Sequence, residues 1–184
     1  MIKMLFETQA RQLQHTPPLA RFLIVTITEN QQTLHLAETS AIAEWLSHHS
    51  QRLGAMDLDQ AALADDYYWK NFAEASFMPN LALKQIFAQL SLRTPWPVRF
   101  ILRGIQYAFN QGYLNPLLRQ QIQVIHQHLT ANTWIAGSQF TIADILLWFP
   151  LQACTHLDAR YADYPASNRY LLRIQDRPAF QRAL

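Results

Sequence analysis

Trp134-Ile135-Ala136-Gly137-Ser138-Gln139-Phe140-Thr141-Ile142-Ala143-Asp144 contains a loop, a helix start and the residues that join them. Thr141 can accept a bond from the Asp144 backbone N–H, while the Asp144 carboxylate reaches back to the Thr141 N–H, the two halves of a capping box. Phe140 and Ile145 flank the box as a hydrophobic staple. Gly137 suits a backbone position that other residues would strain to occupy, so the chain can turn sharply before the cap. By itself such a box specifies only a well-started helix. Its functional weight depends on the rest of the chain.

The chain has 184 residues, half of them apolar, enough for one domain or for a complete domain with part of a second. A formal charge of +2, with arginines scattered along the chain, argues against a nucleic-acid partner. One cysteine, Cys154, rules out an internal disulfide and fits a reducing compartment. The N-terminal Met1-Ile2-Lys3-Met4-Leu5-Phe6 runs into Glu7 and lacks a signal-peptide core, and no segment has the apolar length of a membrane span. These features lead to the expectation of a soluble cytoplasmic protein.

Residues 3–14 read as a short amphipathic helix stopped by Thr16-Pro17-Pro18. Phe22 to Ile27 reads as a strand, Glu29-Asn30-Gln31-Gln32 as a turn and Thr33 to Leu36 as the second strand of a hairpin. A helix follows from Ser40 to His49, then a linker carrying Gly54. Asp57-Leu58-Asp59-Gln60 resembles a second capping box, opening a helix to about Leu90. Pro95-Trp96-Pro97 is expected to begin a helix through about Phe109, and Asn115-Pro116 another, with Leu118, Ile122, Ile125 and Leu129 on one buried face. Pro150 interrupts the bonding of the helix begun at Thr141, and Tyr164-Pro165 and Arg177-Pro178 open the last two.

Several of these runs resemble the glutathione transferase superfamily. Glu38-Thr39-Ser40-Ala41-Ile42 with Trp45-Leu46 is similar to the Glu-Ser-x-Ala-Ile segment that opens the last helix of the family's thioredoxin-like domain. Trp69 through Phe87, with Ala73-Glu74-Ala75-Ser76, resembles the long first helix of the helical domain in the bacterial and fungal branch. The 134–144 stretch resembles the centre of that domain, and Tyr164-Pro165, Arg173-Ile174 and Arg177-Pro178-Ala179 its closing helices. The resemblance spans roughly residues 15 to 184. It implies a mainly α fold, with residues 1–52 a thioredoxin-like remnant of one hairpin and one helix and residues 53–184 a complete helical bundle.

By the same resemblance the activity is conjugation of glutathione to small hydrophobic electrophiles by a homodimer. Glu38 and Thr39 are the implied glutathione-binding residues, Thr39 and the helix N–H groups holding the γ-glutamyl carboxylate and Glu38 its ammonium group. The residues alone permit a second reading, in which Thr39 or Ser40 caps the helix and Glu38 is solvated. Tyr67, Tyr68 and Glu74 fall on the helix that lines the family's electrophile pocket, although aromatics at helical spacing usually belong to a core. Two features depart from the family. A βαβ unit needs about 30 residues, more than precede Phe22, so the Tyr, Ser or Cys that stabilises the glutathione thiolate has no counterpart, and Leu23 stands where the family has a cis-proline. The expectation is therefore a transferase-like protein whose catalysis is in doubt. The alternatives are a non-catalytic ligand-binding or interaction protein, and a decayed product or misassigned start codon.

Other residues read as structural. Arg99 and Arg103 suit a solvated face and Cys154 a buried thiol; His126 and His128 diverge on their helix, and no metal site is expected.

Overall fold

The computed structural model describes residues 24–29, 32–50, 53, 58–157 and 163–183. The chain divides between residues 56 and 57 into two compact units. The helix predicted for residues 3–14, Phe22, Leu23 and most of the linker after Ser50 lie outside the described residues.

In the first unit, strands β1 (Ile24–Glu29) and β2 (Gln32–Ala37) pair antiparallel, with Val25 opposite Leu36 and Ile27 opposite Leu34. Strand alternation sends Val25 and Ile27 to one face. There they pack with Ile42 of helix α1 (Thr39–Ser50) and with the half-buried Leu36, Trp45 and Leu46. A hairpin is marginal alone, and α1 supplies its apolar partner.

The second unit is helical, as the pattern predicts; the first long helix runs on to about the expected end, whereas the second is continuous where the sequence suggests a break at Asn115-Pro116. Helix α2 (Gln60–Asn71) passes through a π-helical segment (Phe72–Phe77) into α3 (Met78–Arg93). Helix α4 (Arg99–Phe109) passes through a second π segment (Asn110–Leu114) into α5 (Asn115–Ala131). Each π segment ends just before a proline, Pro79 or Pro116. A proline in a helix has no N–H to donate, and its ring collides with the carbonyl four residues back. Widening the turn just before it relieves that collision: the N–H of Met78 bonds to the Ala73 carbonyl and that of Asn115 to the Asn110 carbonyl, five residues back in each case. Asn115-Pro116 therefore reshapes a helix in progress instead of starting one.

Side chains brace the first widened turn against α5. The Ser76 carbonyl accepts from Asn80 Nδ2 at 2.7 Å and from Gln121 Nε2 at 3.2 Å. Lys84 Nζ donates to Asn115 Oδ1 at 2.9 Å, tying α3 to the start of α5.

Two helix starts also differ from expectation. The cap of α2 is Asp59, whose carboxylate accepts from the Ala62 N–H at 2.8 Å, because that places the side chain over the first free donors. Pro95-Trp96-Pro97 forms the loop before α4 and contains a cis Trp96–Pro97 peptide. Arg99, read as solvated, reaches back to the C-terminal end of α3, donating to the carbonyls of Thr94 at 3.0 Å and Leu92 at 3.3 Å.

Helix α6 (Ile142–Leu157) runs through Pro150 and packs on α2 and on the first π segment, while α7 (Pro165–Gln175) packs on α5. The short α8 (Pro178–Gln181) closes the unit. Its core comprises Trp69, Phe77, the Leu118, Ile122, Ile125 and Leu129 face of α5, Leu147, Leu151 and Cys154 of α6, and Tyr170 and Ile174 of α7.

Candidate functional site

The first candidate lies where β2 meets α1. Glu38 adopts a left-handed backbone conformation, φ 74°, which L side chains avoid. Its carbonyl nevertheless accepts the Ile42 N–H at 3.0 Å, so Glu38 stands at the N-cap and Thr39 opens the first turn. This left-handed step turns the chain from strand into helix within one residue. Glu38 and Thr39 are both exposed. The backbone N–H groups of a first turn have no acceptor within their helix. At this corner they lie beside a hydroxyl and a carboxylate, groups able to hold a carboxylate and an ammonium group respectively.

The second candidate, in the helical unit, is Tyr67, Tyr68 and Glu74. All three are exposed, Tyr67 by 56% and Tyr68 by 53%, so neither tyrosine belongs to the core. The aromatic core positions on this helix are Trp69 and Phe77. Tyr68 stacks on the half-buried Phe72, with ring centroids 5.9 Å apart, and Lys70 lies 4.9 Å over the ring of Tyr67. Lys70 also pairs with the buried Asp66 at 2.9 Å. Glu74 lies within the first π segment, on the side facing solvent.

The third group is the capping box. The fully buried Asp144 accepts from the Thr141 N–H at 2.8 Å, the Ile135 N–H at 2.9 Å and the Tyr170 hydroxyl at 2.9 Å. The Thr141 hydroxyl is directed at the same carboxylate, 3.5 Å away. Burial raises the Asp144 carboxyl from 3.8 to about 6, against the three donors, which favour the carboxylate. Burial and the adjacent carboxyl hold the Tyr170 hydroxyl well above its ordinary value, so it stays a donor. The loop before it closes on itself: Trp134 and Gly137 exchange N–H···O bonds of 2.9 and 3.1 Å, with Gly137 at φ 97°. Every strong acceptor position of Asp144 is engaged within the chain, which makes it a structural anchor.

Sequence reading did not anticipate Tyr170 or the buried Asp66. Tyr170 lies between Ala166 and Ile174 on the buried stripe of α7, and a phenol at such a position needs an acceptor. That spacing was its only signal.

Residues 110–178 match the family model for the glutathione S-transferase C-terminal domain, a span that contains α5, the anchor loop, α6 and α7. Residues 110–178 thus carry the glutathione S-transferase C-terminal domain, and the chain as a whole is similar to glutathione S-transferases. It is 29% identical over 143 residues to glutathione S-transferase 3 of Schizosaccharomyces pombe, an alignment covering 77% of this chain and 59% of that protein. It thus spans about three-fifths of the length of that curated relative. Among solved structures it is similar to a glutathione S-transferase from Actinobacillus pleuropneumoniae, at 27% identity and a TM-score of 0.68, covering 91% of this chain and 69% of that one. A Pseudomonas fluorescens transferase family member with two glutathione molecules bound shares the fold at 22% identity and a TM-score of 0.68, covering 93% and 76%. The comparisons agree with a mainly α fold that carries one hairpin, and no described helix is long and apolar enough to cross a membrane.

Proposed function

We propose that the chain binds glutathione at the Glu38–Thr39 corner, as the co-substrate for conjugation to small hydrophobic electrophiles. The observation that carries this reading is the left-handed Glu38, held at φ 74° immediately before α1. A strained non-glycine residue at an exposed helix start costs stability, and a ligand-facing role accounts for the glutamate there. The first-turn N–H groups and the Thr39 hydroxyl hold the γ-glutamyl carboxylate, and Glu38 pairs with its ammonium group. The binding of glutathione by the Pseudomonas fluorescens relative supports the assignment. Tyr67, Tyr68 and Glu74 supply the electrophile surface, two open aromatic faces with a carboxylate beyond them. The first unit is the closing part of a thioredoxin-like domain, and the protein works in the cytoplasm.

The working form is a homodimer. Helix α4 has no buried residue, its Phe100, Ile101 and Ile105 are at least half exposed, and α3, which packs on it, exposes Ile86 and Leu90. An apolar face of that kind is an association surface, and a second copy is its occupant. Light scattering that returns a monomer mass at all concentrations overturns this part.

Calorimetric titration with reduced glutathione tests the main reading. Binding at millimolar concentration or tighter, weakened in Glu38→Gln and Thr39→Ala, is the expected result; absence of binding refutes it. Conjugation is tested separately with a chloronitrobenzene electrophile. Turnover at the uncatalysed rate alongside intact binding would identify a ligand-binding protein without the chemistry.

A further inference from the structure

A cleft of about 250 Å³ opens on the helical unit, lined by Phe140, Ile145, Trp148, Ile174, Arg177, Ala179 and Phe180. Its residues come from the loop before α6, from α6 itself, from α7, and from α8 with its N-cap Arg177, and none of them belongs to the Glu38–Thr39 corner or to the Tyr67, Tyr68 and Glu74 group. Ile174 is buried and forms its floor; Ile145 and Ala179 are exposed at its rim. Trp148 and Phe180 meet edge to face, 4.9 Å between centroids, and Phe140 provides a third aromatic wall.

The lining has one charged group. The Arg177 guanidinium lies 3.7 Å over the Phe140 ring and 5.5 Å from that of Trp134, and Arg173 lies 5.6 Å over the same Trp134 ring. Stacking fixes the guanidinium plane and leaves its in-plane N–H groups for an acceptor. Among the described residues no carboxylate pairs with Arg177. The cleft therefore combines three aromatic walls, an aliphatic floor and one oriented, uncompensated cation.

We propose that this cleft binds a small aromatic monocarboxylate. The ring enters between Phe140, Trp148 and Phe180, and the carboxylate takes a charge-assisted pair of bonds from Arg177. The volume lies below the range of drug-sized pockets, which limits the ligand to one or two fused rings. A neutral ligand would leave the cation unpaired, and a polyanion would have to desolvate charges against an apolar wall. This site is independent of glutathione binding at Glu38 and Thr39.

The test is calorimetric titration of the full chain with 2-naphthoate, with 2-naphthalenemethanol as the neutral counterpart. One naphthoate per chain is expected, unaffected by saturating reduced glutathione. Arg177→Gln should weaken naphthoate by about tenfold or more and leave the alcohol unchanged. Ala179→Trp, a rim substitution that fills the cleft, should abolish binding of both, with the thermal transition of each variant confirming its fold. Absence of naphthoate binding at millimolar concentration, binding unaltered in Ala179→Trp, or displacement by glutathione would each overturn the proposal. Equal affinity for the alcohol and the acid would overturn the role of Arg177.

Discussion

Two helix starts in this molecule combine an acidic residue with a threonine, and they use it in opposite ways. At α6 the carboxylate of Asp144 is buried and satisfied by the chain's own donors, two backbone N–H groups and a phenol. At α1 the acidic residue precedes the threonine, takes a left-handed backbone conformation and projects from an exposed corner. The same chemistry is spent on folding in one place and left open in the other. An acidic residue at a helix N-terminus therefore says little about function until its acceptors have been accounted for.

The contrast is broken most severely at Asp144. Replacing it with Ala strands two buried N–H groups and the Tyr170 hydroxyl, each costing about 1–3 kcal/mol. The expected loss is about 3–5 kcal/mol, read by urea denaturation; a loss below about 1 kcal/mol would show that the anchor is dispensable. Its pH dependence follows from a folded value of about 6 against 3.8 unfolded. Between those values the native state holds the proton more tightly than the unfolded chain, so its contribution is complete below 3.8 and is lost as pH rises through about 6. Relative to Asp144→Asn, the protein should lose about 3 kcal/mol between pH 3.5 and 7. A carboxyl titrating below pH 4 by ¹³C NMR would mean that the three donors outweigh burial.

Gly137→Ala places a side chain at φ 97°, although the added methyl would clash with nothing, meeting Ala62 Cβ at an ordinary contact distance of 3.9 Å. A destabilisation of about 1–2 kcal/mol is expected from the backbone alone. An unchanged melting temperature would show that the loop relaxes. Glu38→Gly should do the reverse at the other helix start: stability rises by about 0.5–1 kcal/mol as the left-handed strain is removed, while glutathione binding weakens. A Glu38→Gly variant that binds glutathione normally would remove the reason for keeping a glutamate there.

Much of the helical unit was legible in its residues. The stripe Leu118, Ile122, Ile125 and Leu129 is fully or almost fully buried, and the Thr141–Asp144 spacing identified the start of α6. The reading failed at Asn115-Pro116, where a proline normally suited to a first turn is instead accommodated inside a helix by widening the preceding turn. It failed at Arg99 as well, because a four-residue spacing on one helix cannot reveal that the end of another helix lies within reach. For the candidate site, the run Glu38-Thr39 was visible as a motif, but its left-handed backbone was not. The cleft around Arg177 was invisible, since its walls come from two stretches about 25 residues apart in sequence, Phe140 to Trp148 and Ile174 to Phe180, which only packing brings together.

The sequence by itself determined the helical class, the hairpin, the first turns of α1, α6, α7 and α8 and the family resemblance, because these depend on periodicity and on caps that act within a few residues. Tertiary structure alone decided which of the polar groups were consumed. Asp144 becomes an anchor because α7 delivers Tyr170 to it, and among the described residues Arg177 meets the π faces of Phe140 and Trp134 but no carboxylate. Satisfaction of a buried or stacked charge is a property of the groups that packing brings within about 3–4 Å, and spacing along the chain does not encode that distance.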